Sequence, residues 1–394
     1  MSALINLLLA VLALPALLAC GYLLALTLLS AREAARPRSS RALRFDVFVP
    51  AHNEEPVIAR TVMNLKRLDW PADRFRIIVI ADNCSDQTAR IAVAAGARVY
   101  ERTDSTARGK GYALAHAFAR SAAESWADAV VVIDADAEAS ANLLEAFASR
   151  IEDGACAVQA HYGVLNPLAS WRTRLITIAK GAFHIVRSRA RERLGVSCGI
   201  RGNGWCVTHQ LLQRVPYKAF SLTEDVEYGI EIGLAGYRVR YADEAHSNAD
   251  MVSGEQIARK QRARWEQGRF QLIRTKTLRL LSAAVRRRSA VCLDLGLDLL
   301  VLPLSYVALN IIGFTVLASL AAWWQPSMQW WLLLSIGCIA SLVLYVVRGW
   351  QLSGIGAVGL LDLARAPAFL LWKLVLMAKR GPSDEWVRTE REKP

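Results

Sequence analysis

Two long stretches without a charged residue limit the folds that are open to this chain. The first precedes Arg32, and its apolar part, Leu4 to Leu29, would be roughly 39 Å long as a helix. The second, Leu299 to Val347, would be roughly 73 Å long as one helix. Because the hydrocarbon core of a bilayer is about 30 Å thick, the first stretch is long enough for one crossing and the second for two. We therefore predict a transmembrane helix within residues 1–30 and a transmembrane hairpin within residues 298–347.

The flanking residues indicate how these helices are oriented. Gln325-Pro326-Ser327 supplies a turn, and it is flanked by four tryptophans of the kind found in interfacial belts: Trp323, Trp324, Trp330 and Trp331. Arginines crowd residues 32–44, and by the positive-inside rule this end faces the cytoplasm. A signal peptide is the alternative, because residues 17–20 resemble a lipoprotein cleavage site, but no Lys or Arg precedes the apolar run. Three crossings would put Met1 in the periplasm and Pro394 in the cytoplasm.

Two further segments combine apolar and charged side chains. Residues 355–377 are apolar but contain charges near the middle, which are costly inside lipid. We interpret them as a helix at the membrane surface, with a fourth crossing as the alternative, and residues 355–394 as this helix with a charged cytoplasmic tail. Residues 271–297 are interpreted as an interfacial amphipathic segment, because residues 270–284 place apolar side chains on one helical face.

Composition agrees with a membrane protein and excludes several other classes. Hydrophobic residues make up 54% of the chain, and 48 Lys and Arg against 35 Asp and Glu leave a net charge of +13. So apolar a chain is not disordered, and seven cysteines without a CxxC pair indicate neither a disulfide framework nor a zinc site. We expect Cys198 and Cys206 to be buried thiols. The arginine clusters adjoin the apolar stretches, so membrane lipids explain the charge better than nucleic acid, and no nucleic-acid partner is expected.

Residues 41–270 hold most of the charge and have the pattern of a globular α/β domain. Three near-continuous apolar runs are typical of buried parallel strands: Phe45–Val49, Arg76–Ile80 and Ala129–Ile133. Helical patterns follow the first two runs, over Glu54–Leu68 and Asp86–Ala95. Ligands of such domains bind at the carboxyl ends of the strands, where polar residues cluster in this sequence.

Three clusters carry candidate chemistry. Asp134 and Asp136 follow the third strand and could hold one divalent cation, although a helix N-cap at Asp136 is equally possible. Thr223-Glu224-Asp225 is a second acidic cluster, with the cap of a helix over Val226–Leu234 as its alternative. Gln261-Arg262-Ala263-Arg264-Trp265 lies in a basic segment. It indicates either a membrane-facing helix or a diphosphate clamp, for which arginine is well suited.

The order of these motifs is more specific than any one of them. The chain contains, in order, Val49-Pro50-Ala51-His52-Asn53-Glu54-Glu55, Asp82, Asp134-x-Asp136, Thr223-Glu224-Asp225 and Gln261-x-x-Arg264-Trp265. The set resembles the membrane-bound family 2 glycosyltransferases, the branch with cellulose, chitin and hyaluronan synthases, written D, D, D, QxxRW. The resemblance covers about residues 45–270 by motif and the flanking helices by topology. It implies a GT-A fold, which is a Rossmann-like α/β domain with a mixed sheet, in the cytoplasm between transmembrane helices.

The resemblance also implies an activity and roles for residues. It implies an inverting, metal-dependent hexosyltransferase that uses a nucleotide-diphosphate sugar, usually a UDP-sugar. The implied donor-binding residues are Pro50, His52, Asn53, Glu54, Asp82, Lys110 and Asp134, with Asp82 at the base and Lys110 near the diphosphate. Asp134 and Asp136 would hold Mg²⁺ or Mn²⁺, with Asp136 as the more direct ligand. The implied catalytic residues are Glu224, Asp225, Gln261, Arg264 and Trp265, with Asp225 as the general base.

The chemistry of sugar transfer is consistent with these roles. A metal and Arg264 would neutralise the departing diphosphate, and the carboxylate of Asp225 would take the proton of the acceptor hydroxyl. Two further roles stay open. His246 could join the metal, although a structural histidine is commoner. The Gly202-Asn203-Gly204-Trp205 turn could shape the acceptor site, with Trp205 either stacked on a sugar or packed in the core.

Three functions compete. The preferred one is a multi-pass enzyme of the inner (plasma) membrane that glycosylates a lipid-linked or glycan acceptor in cell-envelope or exopolysaccharide synthesis. The second is a processive synthase that extrudes a β-linked polymer. Three crossings are few for a private channel, although a homo-oligomer or an export partner could supply more. The third is a non-catalytic membrane scaffold or sensor with the same fold, against which the complete acidic set argues.

Overall fold

A computed structural model describes residues 2–34, 36–251 and 255–365. This part of the chain contains the strands β1 Phe45–Ala51, β2 Phe75–Asp82, β3 Arg98–Arg102, β4 Ala129–Val132, β5 Ala137–Ala139, β6 Ala157–Val164, β7 Trp205–Thr208 and β8 Val239–Ala249. Its α-helices up to β8 are α1 Ser2–Leu28, α2 Ile58–Leu65, α3 Thr88–Ala94, α4 Lys110–Glu124, α5 Leu143–Glu152, α6 Trp171–Lys180, α7 Arg187–Arg193, α8 His209–Arg214 and α9 Glu224–Leu234. The helices after β8 are α10 Glu255–Arg287, α11 Ala290–Leu300, α12 Leu304–Trp324, α13 Gln329–Ser353 and α14 Ala357–Leu363. A π-helical turn, Gly181–Val186, joins α6 to α7, and a 3-10 turn, Pro326–Met328, joins α12 to α13.

The strands form one mixed sheet of eight strands in the order β3-β2-β1-β4-β7-β6-β8-β5. Strands β1 to β4 run parallel to their neighbours in one half, and β7 joins that half to β6 in antiparallel fashion. The other half pairs β6 with β8 in parallel and β8 with β5 in antiparallel fashion. The α/β domain with a mixed sheet is therefore confirmed, and the three predicted strands are β1, β2 and β4.

The central strands are buried on both faces, which explains their near-continuous apolar sequences. Along β1, Val47 points into one hydrophobic cluster and Phe48 into the other, and each is fully buried. Val131 and Val130 of β4 divide between the same two clusters. Because both faces are covered, the open positions are at the carboxyl ends of the strands, where the predicted site residues lie.

Of the two helix-cap alternatives, the one at Asp136 is wrong, and the one in the second acidic cluster holds for Thr223 but not for Asp225. Asp136 leads into β5, and the next helix begins at Leu143 with Asn142 as its N-cap. Helix α9 begins at Glu224 with Thr223 as its N-cap, so Asp225 lies inside the first turn. The helix predicted from Glu54 begins only at Ile58.

Among the residues that the structure describes, three helices are long and apolar enough to cross a membrane: Ser2–Leu28, Leu304–Trp324 and Pro326–Ser353. They share one hydrophobic cluster, in which Leu9, Phe314 and Tyr345 are almost completely buried. The turn between the second and third helices lies where the sequence predicts it. The third helix continues past Arg348, whose Nε donates a 3.0 Å hydrogen bond to Ser30 Oγ beyond α1.

Ion pairs between α7 and α11 are connected to the apolar helix α1 by a hydrogen bond. Arg191 of α7 lies 3.1 Å from Asp294 Oδ2 and 3.0 Å from Asp298 Oδ1, both on α11. Arg187 pairs with Asp298 at 2.7 Å. Tyr22 Oη in α1 donates a 2.9 Å hydrogen bond to Asp294 Oδ1. Because breaking a buried charge pair leaves an uncompensated charge, this network fixes α1 relative to the domain.

The segment predicted to lie at the membrane surface is partly covered by protein. It forms the second half of α10 and most of α11. Leu272 and Leu280 of α10 pack with Ile230 of α9 and Leu295 of α11. The predicted apolar face is thus packed on neighbouring helices, while membrane contact of residues 271–297 stays a prediction.

The carboxy-terminal predictions are only partly covered by the described residues. Helix α14 lies at the start of the stretch 355–377 and packs on α6, and its buried Asp362 pairs with Arg174. Residues 366–394, which hold the rest of that stretch and the predicted tail, lie outside the described residues.

Candidate active site

Lys110 lies between two acidic clusters that are far apart in the sequence. It is the first residue of α4, and the preceding N-cap, Gly109, has a φ of 117°, a conformation that favours glycine. Its Nζ donates to Asp134 Oδ1 at 2.7 Å and to the Gly202 carbonyl at 3.0 Å, and lies 3.7 Å from Glu224 Oε1. Burial opposes its charge, but the two carboxylates outweigh burial and raise the pKa of Lys110.

The DxD pair is held by the loop before β7. The Asp134 amide donates a 3.0 Å hydrogen bond to Oδ1 of Asn203, which is fully buried. In the same turn, Trp205 is 1% exposed and is packed against core aromatics, so it is a packed aromatic and not a sugar platform. The turn therefore contacts Lys110 through the Gly202 carbonyl and Asp134 through Asn203.

Glu224 and Asp225 open α9 on the other side of Lys110. Burial raises the pKa of Glu224 to about 7, although the ammonium of Lys110 opposes the shift. Burial raises the pKa of Asp225 as well, again against Lys110. A Cβ atom on Gly202 would lie 3.6 Å from Asp225 Oδ2, so the Asp225 carboxylate borders this glycine. Two half-buried carboxylates beside one ammonium are a typical arrangement for proton transfer.

Helix α10 brings the QxxRW motif to α9. A Cβ atom on Gly268 would lie 2.5 Å from Thr223 Cγ2, so the two helices are in close contact there. Nε of Arg264 is buried and has no hydrogen-bond partner among the described residues, and its charge acts on Tyr162 beside the DxD pair. Gln261 is half-buried on the same helix, and Trp265 is 38% exposed.

The predicted donor residues at the ends of β1 and β2 are connected to one another. Pro50 pairs with Ile80 across the two strands. His52 Nδ1 lies 2.8 Å from the Asp82 carbonyl oxygen, and Asn53 Oδ1 accepts a 2.7 Å hydrogen bond from the Ser85 amide. The structure therefore brings the loops after β1 and β2 into direct contact.

Two more donor residues show how these loops are held. The Glu54 amide donates to Thr88 Oγ1 at 2.7 Å, which connects the loop before α2 to the first residue of α3. Asp82 is buried, and its Oδ1 lies 2.6 Å from Nη1 of Arg102. Sequence reasoning missed Arg102, because it lies on β3, which was not predicted.

Asp134 and Asp136 are a suitable donor set for a hard divalent cation. Mg²⁺ is usually held by one or two carboxylates, with substrate phosphates and water completing its shell. Mn²⁺ also prefers oxygen ligands. Within the described ranges no three His, Cys, Asp or Glu side chains form a metal-binding group, so His246 does not complete a site with the two aspartates. The remaining ligands would have to come from substrate and water.

Sequence reasoning also missed Tyr162 and Lys180. Lys180 is buried at the end of α6, with Nζ 3.2 Å from the ring centre of Tyr162 on β6 and 3.2 Å from the Gly163 carbonyl oxygen. Burial lowers the pKa of Lys180 to about 7, against the opposing effect of Asp134 and Asp136. The sequence of β6 is not a continuous apolar run, and no spacing pointed to these two side chains.

Comparisons with known proteins agree with this geometry. Residues 43–268 match the family model described as glycosyltransferase like family 2. A probable glycosyltransferase of Bacillus subtilis, YdaM, is 28% identical over 234 residues, which cover 57% of this chain and 55% of the relative. A beta-monoglucosyldiacylglycerol synthase of Synechocystis is 29% identical over 238 residues, covering 57% of this chain and 47% of that enzyme. The chain thus spans about half the length of these curated relatives.

One solved structure covers most of the chain. The mannosyltransferase PcManGT from Pyrobaculum calidifontis, in complex with GDP-Man and Mn²⁺, has a TM-score of 0.55 and 17% identity. The match covers 85% of this chain and 98% of that protein. At this identity the likeness shows the fold, and the implied GT-A fold is confirmed.

Proposed function

The chain belongs to glycosyltransferase-like family 2, and we propose that it moves a sugar, with inversion, from a nucleotide-diphosphate donor to a hydroxyl acceptor. The observation that carries this proposal is the position of Lys110, in contact with Asp134 and close to Glu224. Lys110 thus connects Asp134, which is suited to bind a metal, with the acidic cluster that would supply the general base. The names of the relatives support sugar transfer, and PcManGT is described with GDP-Man and Mn²⁺.

The donor half of the site stabilises the leaving group. A divalent cation bound by Asp134 and Asp136 would supply positive charge for the diphosphate oxygens. Lys110, which is held by its hydrogen bonds to Asp134 and Gly202, and Arg264 would add cationic groups of the chain itself, and such groups lower the barrier to charge development. Asp82, His52 and Asn53 edge the pocket on the nucleoside side.

The acceptor half supplies the base. Inversion requires the acceptor oxygen to approach the anomeric carbon from the face opposite the diphosphate. Asp225 would accept the hydroxyl proton, and burial raises the pKa of this carboxyl, which strengthens it as a base. Glu224 would pair with the ammonium group of Lys110 and hold this group close to the donor. The mechanism needs no covalent nucleophile.

The acceptor is proposed to be a lipid or a lipid-linked glycan at the inner membrane. The three apolar helices and a relative named for a glycolipid product support this proposal. The α/β domain would lie in the cytoplasm, where nucleotide sugars are made. Addition of one or a few sugars is preferred, and a processive synthase of the cellulose, chitin and hyaluronan type is the alternative.

A donor screen with product sizing tests the function. The full chain in native membranes is supplied with UDP- and GDP-sugars and Mg²⁺ or Mn²⁺, and released nucleoside diphosphate and labelled products are measured. One discrete lipid-soluble product supports limited addition, whereas a ladder of lengths identifies a processive synthase. If no donor yields nucleoside diphosphate above the level of Asp225→Asn membranes, the enzyme proposal is wrong.

A further inference from the structure

We propose that Tyr162 contacts the sugar that is transferred, by a hydrogen bond from its hydroxyl group, and that Lys180 is the positioning residue for its ring. Both side chains lie outside the motifs that define the family resemblance. The proposal rests on the proposed function and deepens it, because it names a residue that selects the donor sugar.

The ring of Tyr162 is held on several sides. It stands on β6 opposite Ser247 of β8, just after the register shift between Ala160 and His161. Lys180 Nζ lies 3.2 Å from the ring centre. The His184 ring lies edge-on with its centre 5.3 Å away. A ring fixed in this way loses little freedom when it binds a ligand.

Gly202 connects the Tyr162 ring to the proposed base. A Cβ atom at Gly202 would lie 3.3 Å from Tyr162 Cε1 and 3.6 Å from Asp225 Oδ2. Gly202 also has a φ of +85°, a conformation that side chains rarely adopt. The edge of the phenol and the carboxylate of Asp225 therefore border the same small space.

The phenol also lies in the field of the donor half of the site. It interacts electrostatically with Asp134, Asp136, Asp225 and Arg264. In the proposed mechanism the diphosphate lies at the DxD pair and the acceptor hydroxyl lies at Asp225. The sugar must occupy the space between them, and this is the space that the phenol borders.

The chemistry of Tyr162 suits a hydrogen-bond donor. Burial, together with the carboxylates of Asp134, Asp136 and Asp225, raises the pKa of its hydroxyl well above the ordinary value. The hydroxyl stays protonated at neutral pH and can donate to a sugar oxygen. Lys180 contacts the face of the ring and donates to the Gly163 carbonyl, so its contact sets the direction of the hydroxyl without contact to the sugar.

The test compares binding of a sugar nucleotide with binding of its nucleoside diphosphate alone. The full chain in detergent, with Mg²⁺ or Mn²⁺, is titrated with the donor that the wild type turns over and with the matching UDP or GDP. Tyr162→Phe should lower the affinity for the sugar nucleotide roughly three- to tenfold, because one hydrogen bond to the sugar is lost. The affinity for the nucleoside diphosphate should not change.

Two variants complete the experiment. Lys180→Met should also weaken binding of the sugar nucleotide relative to binding of the nucleoside diphosphate. In the Tyr162→Phe background it should cause no further loss, because both changes act on one hydroxyl. Tyr241→Phe is the matched control: this tyrosine is buried on β8, and its hydroxyl has no hydrogen-bond partner among the described residues. It should change neither affinity.

Each outcome decides a specific question. Equal weakening of both ligands by Tyr162→Phe, or no weakening of either, overturns the sugar contact. An additive loss from Lys180→Met overturns its positioning role. A wild-type chain that binds nucleoside diphosphate but turns over no sugar nucleotide contradicts the proposed function instead, so the two failures are distinguishable.

Discussion

Gly268 packs against Thr223 so closely that a Cβ atom at position 268 would lie 2.5 Å from Thr223 Cγ2. Gly268 lies about one turn after Arg264 on α10, and Thr223 is the N-cap of α9, which begins with Glu224. The close contact therefore fixes the position of the QxxRW helix relative to the acidic pair.

Substitution of this glycine should separate the two helices. Gly268→Ala places a methyl group where Thr223 already lies, and overpacking of this kind costs about 1–3 kcal/mol. We expect a lower midpoint of thermal unfolding and a transfer rate at least tenfold lower. Gly337→Ala is the control, because no atom outside the neighbouring backbone of its own helix lies within 4 Å of the added Cβ. A Gly268→Ala enzyme with the wild-type transfer rate would show that the helix spacing is not critical.

Removal of the proposed base should stop chemistry but not donor binding. Asp225→Asn keeps the shape of the side chain and cannot accept a proton at neutral pH. Because general base catalysis contributes about 10²–10⁴-fold, the transfer rate should fall by at least that factor. The affinity for the sugar nucleotide should stay within a few-fold. Rate and affinity are measured on one preparation, and near-normal transfer would remove Asp225 from the mechanism.

Loss of the metal should damage both binding and turnover. Asp136→Ala removes one of two carboxylates that would face the diphosphate, so donor affinity and transfer rate should both fall strongly. Excess chelator should have the same effect on the wild type, and added Mg²⁺ or Mn²⁺ should restore it. Full activity in chelator would show that Asp134 and Asp136 serve another purpose.

Much of this site was accessible from the sequence, because its residues lie at the ends of strongly apolar strands. The runs that became β1, β2 and β4 directly precede the loops with His52, with Asn83 and with Asp134. In a parallel sheet these ends share one edge, so their proximity follows from topology. The resemblance implied only that Lys110 lies near the diphosphate. Its contacts with Asp134 and Glu224 were not predicted, because no local pattern shows which lysine reaches a strand end.

The parts that sequence reasoning missed depend on long-range packing. Tyr162 borders Gly202 from β6, which pairs with β8 across a register shift, and the sequence of one strand does not contain that pairing. Lys180 is a charged residue in a buried position, where propensity predicts an exposed one. The apolar face of α10 was recognised. The sequence could not show whether this face packs on protein, as it does on α9 and α11, or on a membrane surface.

His161 should make the folded state sensitive to acid. Burial, helped by the nearby charge of Lys180, lowers the pKa of His161 to about 3. In the unfolded chain a histidine has a pKa of about 6.5, so below that pH the unfolded state binds the proton and the folded state does not. The contribution of His161 to the free energy of unfolding should therefore be complete above pH 6.5. It should be lost progressively as the pH falls from 6.5 to about 3.

The size of the effect can be isolated with a matched pair of variants. One depressed histidine lowers the stability by about 1.4 kcal/mol for each pH unit in this window. His161→Gln removes the titration, so its unfolding midpoint should fall less steeply with acid than that of the wild type. His116→Gln, at an exposed histidine on α4, should follow the wild-type curve. Parallel curves for His161→Gln and the wild type would mean that other groups cause the acid sensitivity.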